Sequence, residues 1–258
     1  MKVAILAGGL GTRLSEETKL IPKPMVRIGN RPIIWHIMNI YSEFGFNEFI
    51  ILVGYKSEVI KEYFANYLLK DNDFTIDLND GSIEFLNKTK KNWKITFIET
   101  GHNTNTGGRL ARAREYLKGD DFMFTYGDGL ANVNIKDLIS YHNSHNGLVT
   151  MTSIQMQSRF GIINFNENNK IENFKEKPKN SQSWINGGFF VCNPKVLDYI
   201  ESDEIAFENE PLEKIAYEGN LYGFKHDGFW KCMDTMRDKI ELNDLIKEKT
   251  IPWRKFDK

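Results

Sequence analysis

Apolar positions along this chain follow two alternating patterns, and their alternation predicts the architecture. Val3–Leu6, residues 49–53 and Phe122–Tyr126 are short, nearly continuous apolar runs, the pattern of strands covered on both faces. Between them Ile33, Ile34, Ile37, Met38, Ile40, Tyr41 and Phe44 recur at helical spacing behind Pro32, which suits a first helical turn, and Gly45 closes the segment. Val59, Ile60, Tyr63, Phe64, Tyr67 and Leu68 give a second amphipathic helix, and residues 110–117 a third. Strands and helices in this order predict an α/β chain with a parallel sheet and right-handed crossovers.

Two stretches depart from that rhythm. Residues 71–94 are polar, carry an Asn79-Asp80-Gly81 turn and alternate briefly at Ser82-Ile83-Glu84-Phe85-Leu86, which predicts an inserted hairpin or arm, either a surface loop or an oligomer contact. Residues 95–98 resume the sheet and 135–145 form a helix. After residue 148 strands dominate, over 149–156, 161–165, 170–176 and 184–192. Helices over 211–217 and 235–247 then flank a strand at 221–225. No low-complexity linker separates the halves, so residues 1–258 read as one domain without internal repeats.

Composition narrows the function classes. Lysine and arginine total 34 against 35 aspartates and glutamates, so there is no general basic field for nucleic acid. Cys192 and Cys232 supply neither a disulfide framework nor zinc spacing, which fits a reducing compartment. The first apolar run is too short for a signal peptide, and none approaches the roughly 20 residues of a membrane span. The expectation is a soluble, cytoplasmic protein with neither nucleic-acid nor membrane partners.

The chemistry starts at the end of the first strand. Leu6-Ala7-Gly8-Gly9-Leu10-Gly11-Thr12-Arg13-Leu14 is a glycine-rich loop ending in a cation, and Ile21-Pro22-Lys23-Pro24 adds a second. Glycines let backbone N–H groups approach an anion closely, so the loop predicts phosphate binding. It lacks the Gly-Lys-Ser/Thr ending of a P-loop, and Leu14 stands where a dinucleotide fingerprint needs its third glycine. Asp128, in Thr125-Tyr126-Gly127-Asp128-Gly129, falls beyond the C-terminal end of a buried strand, where α/β sheets bind ligands and a carboxylate can hold Mg²⁺; a turn aspartate is the alternative. Asp234 precedes a helix, as a partner carboxylate or an N-cap. Asn186-Gly187-Gly188 interrupts an apolar strand, and Thr104-Asn105-Thr106-Gly107-Gly108-Arg109 opens a helix, both consistent with a ligand nearby. His142 and His145 read as surface residues, and Trp35, Trp93, Trp184 and Trp253 as core or interface groups.

Taken together, these segments resemble the sugar-1-phosphate nucleotidyltransferases. That family opens on Leu-Ala-Gly-Gly-x-Gly-Thr-Arg-Leu and x-Pro-Lys-Pro, matched here at 6–14 and 21–24, and the likeness spans the whole chain. Thr106-Gly107-Gly108-Arg109-Leu110 and Met233-Asp234-Thr235 are similar to its glucose-1-phosphate cytidylyltransferase branch. So are Trp35-His36-Ile37-Met38 and Asn186-Gly187-Gly188-Phe189-Phe190-Val191. The resemblance implies a Rossmann-like, mixed, mostly parallel sheet flanked by helices, the nucleotide-diphospho-sugar transferase fold. It implies a nucleotide-binding half at about 1–130 and a sugar-phosphate-binding half at about 131–258. It also implies CTP and a sugar 1-phosphate as substrates, Mg²⁺ as cofactor and a homo-oligomer.

Carried over by position, the resemblance makes Arg13, Lys23 and Asp128 catalytic. It puts Leu6, Ala7, Gly8, Gly9, Leu10, Gly11, Thr12, Arg13, Lys23, Thr104, Gly108, Arg109 and Gly127 on the nucleotide. Tyr126, Glu176, Lys177, Asn186 and Gly187 fall on the sugar phosphate, and Asp128 and Asp234 on the metal. The family often has Asp at His102, Ser at Thr104 and Gly at Ser158. Three alternatives stand beside this reading. A different phosphorylated acceptor or base fits the same fold. A non-catalytic sugar-nucleotide sensor would be expected to lose Arg13, Lys23 or a carboxylate. A glycosyltransferase would want an Asp-x-Asp motif, which Asp128-Gly129-Leu130 does not supply.

Overall fold

The structure, a computed structural model, describes residues 1–87, 91–155, 162–165, 170–175 and 183–254. Its central sheet has seven strands: β1 (Val3–Leu6), β2 (Glu48–Val53), β3 (Lys94–Glu99), β4 (Phe122–Tyr126), β5 (Val149–Gln155), β6 (Trp184–Cys192) and β7 (Leu221–His226). They lie in the order β7-β5-β6-β4-β1-β2-β3. Every neighbouring pair is parallel except those of β6, which runs antiparallel to both β4 and β5. This is the mixed, mostly parallel sheet that the family resemblance implies, and β6 departs from the all-parallel order of the apolar pattern.

Strand alternation feeds two cores. Val3 and Ile5 face Ile33, Ile37, Met38 and Tyr41 of the helix Ile33–Ser42, while Ala4 and Leu6 face Leu110, Phe124, Phe190 and Phe207. The chain leaves β1 toward β2 on one side and returns at β4 on the other, with Leu6 directly beside Tyr126. The crevice beyond the C-terminal ends of β1 and β4 is therefore a topological switch point, where open α/β sheets bind ligands.

Several predicted elements change at their ends. The helix expected over 59–68 divides at Asn66 into Ser57–Ala65 and Tyr67–Asp71. The one expected from Leu110 starts earlier, as Thr106–Arg112, and resumes as Arg114–Leu117. The helix expected over 135–145 stops as Ile135–His142, and His142 is not a surface residue: it is 5% exposed and bonds Thr150 Oγ1 at 2.8 Å. His145 stacks on Tyr222 at 3.7 Å and bonds the same hydroxyl at 2.9 Å. The predicted arm is present as an exposed hairpin of Phe74–Ile76 with Ile83–Phe85. A pairing that sequence patterning did not show joins Gly129–Ala131 to Trp230–Cys232, antiparallel. Among the described residues, no helix is long and apolar enough to cross a membrane.

His36, 2% exposed, lies on the buried side of the helix Ile33–Ser42. Its Nε2 lies 2.9 Å from the Ile28 carbonyl, to which it donates, and Trp253 Nε1 donates to its Nδ1 at 3.4 Å. Both nitrogens are thus engaged in the neutral form. Burial pushes the imidazole down to about 4, with Arg254 and Arg31 acting in the same direction against the Ile28 bond. Between pH ~6.5 and 4 the unfolded chain takes up a proton that the folded chain refuses. Stability is therefore expected to fall as pH drops through this window, by about 3 kcal/mol in all. Urea titrations of wild type and His36→Gln at both ends would show the wild-type loss shrinking in the variant; an equal loss in both would refute this origin.

Candidate active site

The glycine loop leaves β1 as an extension of the sheet and then turns away from it. Ala7 N–H donates to the Leu52 carbonyl at 2.9 Å, and the Gly8 carbonyl accepts from Tyr55 N–H at 3.1 Å. Gly9, Leu10 and Gly11 donate no backbone hydrogen bond within the described residues, which leaves three N–H groups for an anion. Gly11 adopts φ +65°, and a Cβ there would stand 2.9 Å from Thr18 Cγ2 and 3.0 Å from Lys23 Cβ. Glycine at this position serves both the backbone turn and the approach of the Lys23 segment.

Behind Gly8 lies Arg109, a buried cation at 4% exposure. Its Nη1 donates to Thr100 Oγ1 at 2.6 Å and to the Gly101 carbonyl at 2.8 Å, and its Nη2 to the His102 carbonyl at 3.3 Å. Burial, with Arg112 nearby, draws its pKa below the usual guanidinium value. The loop, Lys23, Thr106, Arg109, Tyr126, Gly127 and Asp128 line a cleft of about 310 Å³ at the switch point. Leu10, whose side chain is exposed on the loop, Thr104 and Gly108 are not among its lining residues. A Cβ on Gly108 would meet the Asp203 backbone at 2.5 Å, so its smallness lets the helix pack on that loop.

The charged centre sits at the mouth of β4. Lys23 Nζ bridges Asp128 Oδ2 at 2.5 Å and Asp234 Oδ1 at 2.6 Å, and Arg13 Nη1 reaches Asp234 Oδ2 at 2.7 Å. Burial opposes the Lys23 charge, yet Asp128 and Asp234 outweigh it and raise its pKa. The 129–131/230–232 pairing brings the two aspartates together: Gly129 lies opposite Cys232, and Met233 N–H donates to the Asp128 carbonyl at 2.9 Å. Asp234 is not the helix cap. Thr235 caps Met236–Lys247 through a capping box with Asp238, which leaves the Asp234 carboxylate to Lys23 and Arg13.

Asp128, Cys232 and Asp234 offer ligand atoms within 4.8 Å of one another. Two carboxylates fit a hard divalent cation that also takes phosphate oxygens and water. Cys232 is a soft thiol and the two carboxylates are hard oxygen donors, so the carboxylates make up the donor set for such a cation.

On the far side of Asp128, Tyr126 O–H donates to Glu208 Oε1 at 2.6 Å and accepts from Asn186 Nδ2 at 3.0 Å. Glu208 Oε2 accepts from Thr106 Oγ1 at 2.5 Å, so one carboxylate joins β4 to the helix carrying Arg109. Gly188 has φ +80°, and a Cβ there would come within 2.7 Å of the Tyr126 ring. Trp230 Nε1 donates to the Gly187 carbonyl at 2.7 Å. Glu208 and Trp230 were not expected from the sequence: Glu208 stands in a loop without a motif, and Trp230 acts through a strand pairing. Glu176 and Lys177 lie outside the described residues, as does Ser158.

The chain as a whole has counterparts among known proteins. The family model for nucleotidyl transferase matches residues 2–249. The chain belongs to the nucleotidyl transferase family. It is 48% identical over 258 residues to the glucose-1-phosphate cytidylyltransferase of Salmonella typhi, covering 100% of both chains. It is 31% identical over 247 residues to mannose-1-phosphate guanylyltransferase 1 of Arabidopsis thaliana, covering 93% of this chain and 63% of that one. Two solved structures share the nucleotidyltransferase architecture. A UDP-glucose pyrophosphorylase complexed with UDP-glucose has TM-score 0.70 at 17% identity, covering 96% of this chain and 98% of that one. HddC from Yersinia pseudotuberculosis has TM-score 0.68 at 24% identity, covering 95% and 99%.

Proposed function

We propose that this nucleotidyltransferase transfers the cytidylyl group of CTP to α-D-glucose 1-phosphate, giving CDP-glucose and pyrophosphate. The observation that carries the reading is the full-length 48% identity to a glucose-1-phosphate cytidylyltransferase. The placement of Lys23 between Asp128 and Asp234 supports it. In this reading residues 1–130 bind the nucleotide and 131–258 the sugar phosphate.

The acceptor brings its own nucleophile, a phosphate oxygen, so the protein need not supply one. That oxygen forms a bond to the α-phosphorus as the bond to the β-phosphate oxygen breaks, and pyrophosphate leaves with the electron pair. The obstacle is repulsion between two anions, and the chain answers it by positioning and charge. The free N–H groups of residues 9–11 cradle the triphosphate. Arg13 lies toward its leaving end, and Lys23 can turn from its aspartates to phosphates of both substrates. Asn186 and Gly187 hold the sugar phosphate beside Tyr126, with Glu176 and Lys177. Bound by Asp128 and Asp234, Mg²⁺ would neutralise phosphate charge and help stabilise charge building at the α-phosphorus.

Release of pyrophosphate tests the assignment. CTP with glucose 1-phosphate should outpace UTP, dTTP or GTP and other sugar phosphates in kcat/KM. Equal or better turnover with another pair would reassign the substrates.

The arm supports a homo-oligomer. Phe74, Ile76, Leu78, Ile83 and Leu86 are all exposed on a two-stranded hairpin, an element marginal by itself in water. Sedimentation should give a multiple of the 30.0 kDa chain mass, lowered by Leu78→Asp with Ile83→Asp. A wild-type monomer would refute the contact. The same reading places the enzyme in the cytoplasm, where Cys192 and Cys232 stay reduced; cell fractionation tests this.

A further inference from the structure

A second cavity, of about 540 Å³, shares no residue with the nucleotide cleft. One wall is a fixed ion pair: Arg31 meets both oxygens of Asp71, at 2.6 and 2.7 Å. The guanidinium lies 5.3 Å from the Trp35 ring and 5.7 Å from that of Tyr67, and Trp35 Nε1 donates to Tyr67 Oη at 3.0 Å. Two aromatic faces and a bidentate carboxylate hold Arg31 rigid and leave the pair without net charge.

Two further cations line the cavity. Arg27 and Lys70 make no ion pair with an acidic residue among those described, and Lys70 Nζ sits 5.8 Å from the Tyr63 ring centre. With the Arg31–Asp71 pair neutral, the lining carries two uncompensated positive charges. Asn30 adds a side-chain amide.

Tyr63 points to the kind of ligand. It is 9% exposed, and its hydroxyl has no hydrogen-bond partner among the described residues. Arg31, which acts on it, has donors only, and Asp71 bonds Arg31 rather than this hydroxyl. Burial raises the hydroxyl's pKa and keeps its proton on, so what the site lacks is an acceptor. A buried donor without an acceptor costs about 1–3 kcal/mol, and a ligand oxygen would recover it.

We propose that this cavity binds a phosphate monoester dianion. Its charge, about −2 at neutral pH, matches Arg27 and Lys70, and its three terminal oxygens provide acceptors for Tyr63 and Asn30 as well. A sugar phosphate or free phosphate could supply the same group.

Calorimetric titration of the intact protein without divalent metal distinguishes the sources. Glucose 6-phosphate and inorganic phosphate are the probes. Wild type is expected to bind at least one at millimolar concentration. Tighter binding of the sugar ester makes a sugar phosphate the ligand, and equal binding makes it the phosphate group alone. Arg27→Ala and Lys70→Ala should each weaken binding about tenfold, the value of one charge-assisted hydrogen bond. Tyr63→Phe should weaken it severalfold while the melting temperature of the free protein stays level or rises, because it removes only an unpartnered hydroxyl. Lys23→Ala, which removes a cation of the cleft, should leave binding intact. Failure of both probes to bind would overturn the proposal. So would binding lost in Lys23→Ala but kept in the Arg27→Ala/Lys70→Ala double variant, since the ligand would then occupy the cleft.

Discussion

Lys23→Ala is expected to lower turnover about 10²–10³-fold, the scale of losing one donor aimed at developing negative charge. The side chain is 11% exposed and its Nζ bonds both Asp128 and Asp234. Removing it leaves two carboxylates facing each other, with Arg13, itself 71% exposed, on one of them. Breaking a fully buried pair costs about 3–5 kcal/mol. Here the carboxylates are 22% and 26% exposed, so water offsets much of that and the stability loss should be nearer 1 kcal/mol. A divalent cation should bind the free variant more tightly, because no ammonium competes for the same oxygens. Steady-state kinetics, chemical denaturation and direct Mg²⁺ titration together check the result. Turnover within tenfold of wild type would remove Lys23 from the chemistry.

Gly8→Ala is expected to destabilise the fold by about 1–3 kcal/mol, whereas Gly9→Ala, one residue on, should be tolerated. A Cβ at Gly8 would lie 2.1 Å from Arg109 Nη1, 2.5 Å from its Cζ and 3.0 Å from Gly54 N. Arg109 cannot simply swing aside, since Thr100, Gly101 and His102 hold it. Either the guanidinium leaves its buried site, or the loop lifts and breaks its bonds to Leu52 and Tyr55. A Cβ at Gly9 meets nothing within 4 Å. Thermal unfolding of the free protein should show Gly8→Ala melting roughly 2–10 °C lower and Gly9→Ala near wild type. The Gly8→Ala enzyme should also need more CTP to saturate. Equal melting temperatures for the two variants would contradict the packing argument.

The sequence made the sheet largely legible because its strands are buried on both faces. Residues 3–6, 49–53 and 122–126 read as apolar runs, and β1, β2 and β4 follow them closely. Helix ends were less legible. Nothing in local spacing marks Asn66 or Ala113 as breaks, or shows that His142 packs inward onto Thr150. The site was legible where one segment carries it, as with residues 6–13, and hidden where it depends on a partner. Glu208 belongs to no motif, and its role appears only when Tyr126 and Thr106 meet it.

By itself the sequence determined an α/β chain with a glycine-rich loop after its first strand, two cations near that loop and two candidate carboxylates far apart along the chain. Those properties reside in hydrophobic spacing and in the absence of side chains at Gly8, Gly9 and Gly11, which are local. Tertiary structure decided that Asp128 and Asp234 share one lysine, because the short Gly129–Ala131 and Trp230–Cys232 strands must pair before the two can meet. It also decided that Gly8 makes room for Arg109. A residue's charge and size are written in the chain; which neighbour neutralises that charge or fills that space is set only when distant segments pack.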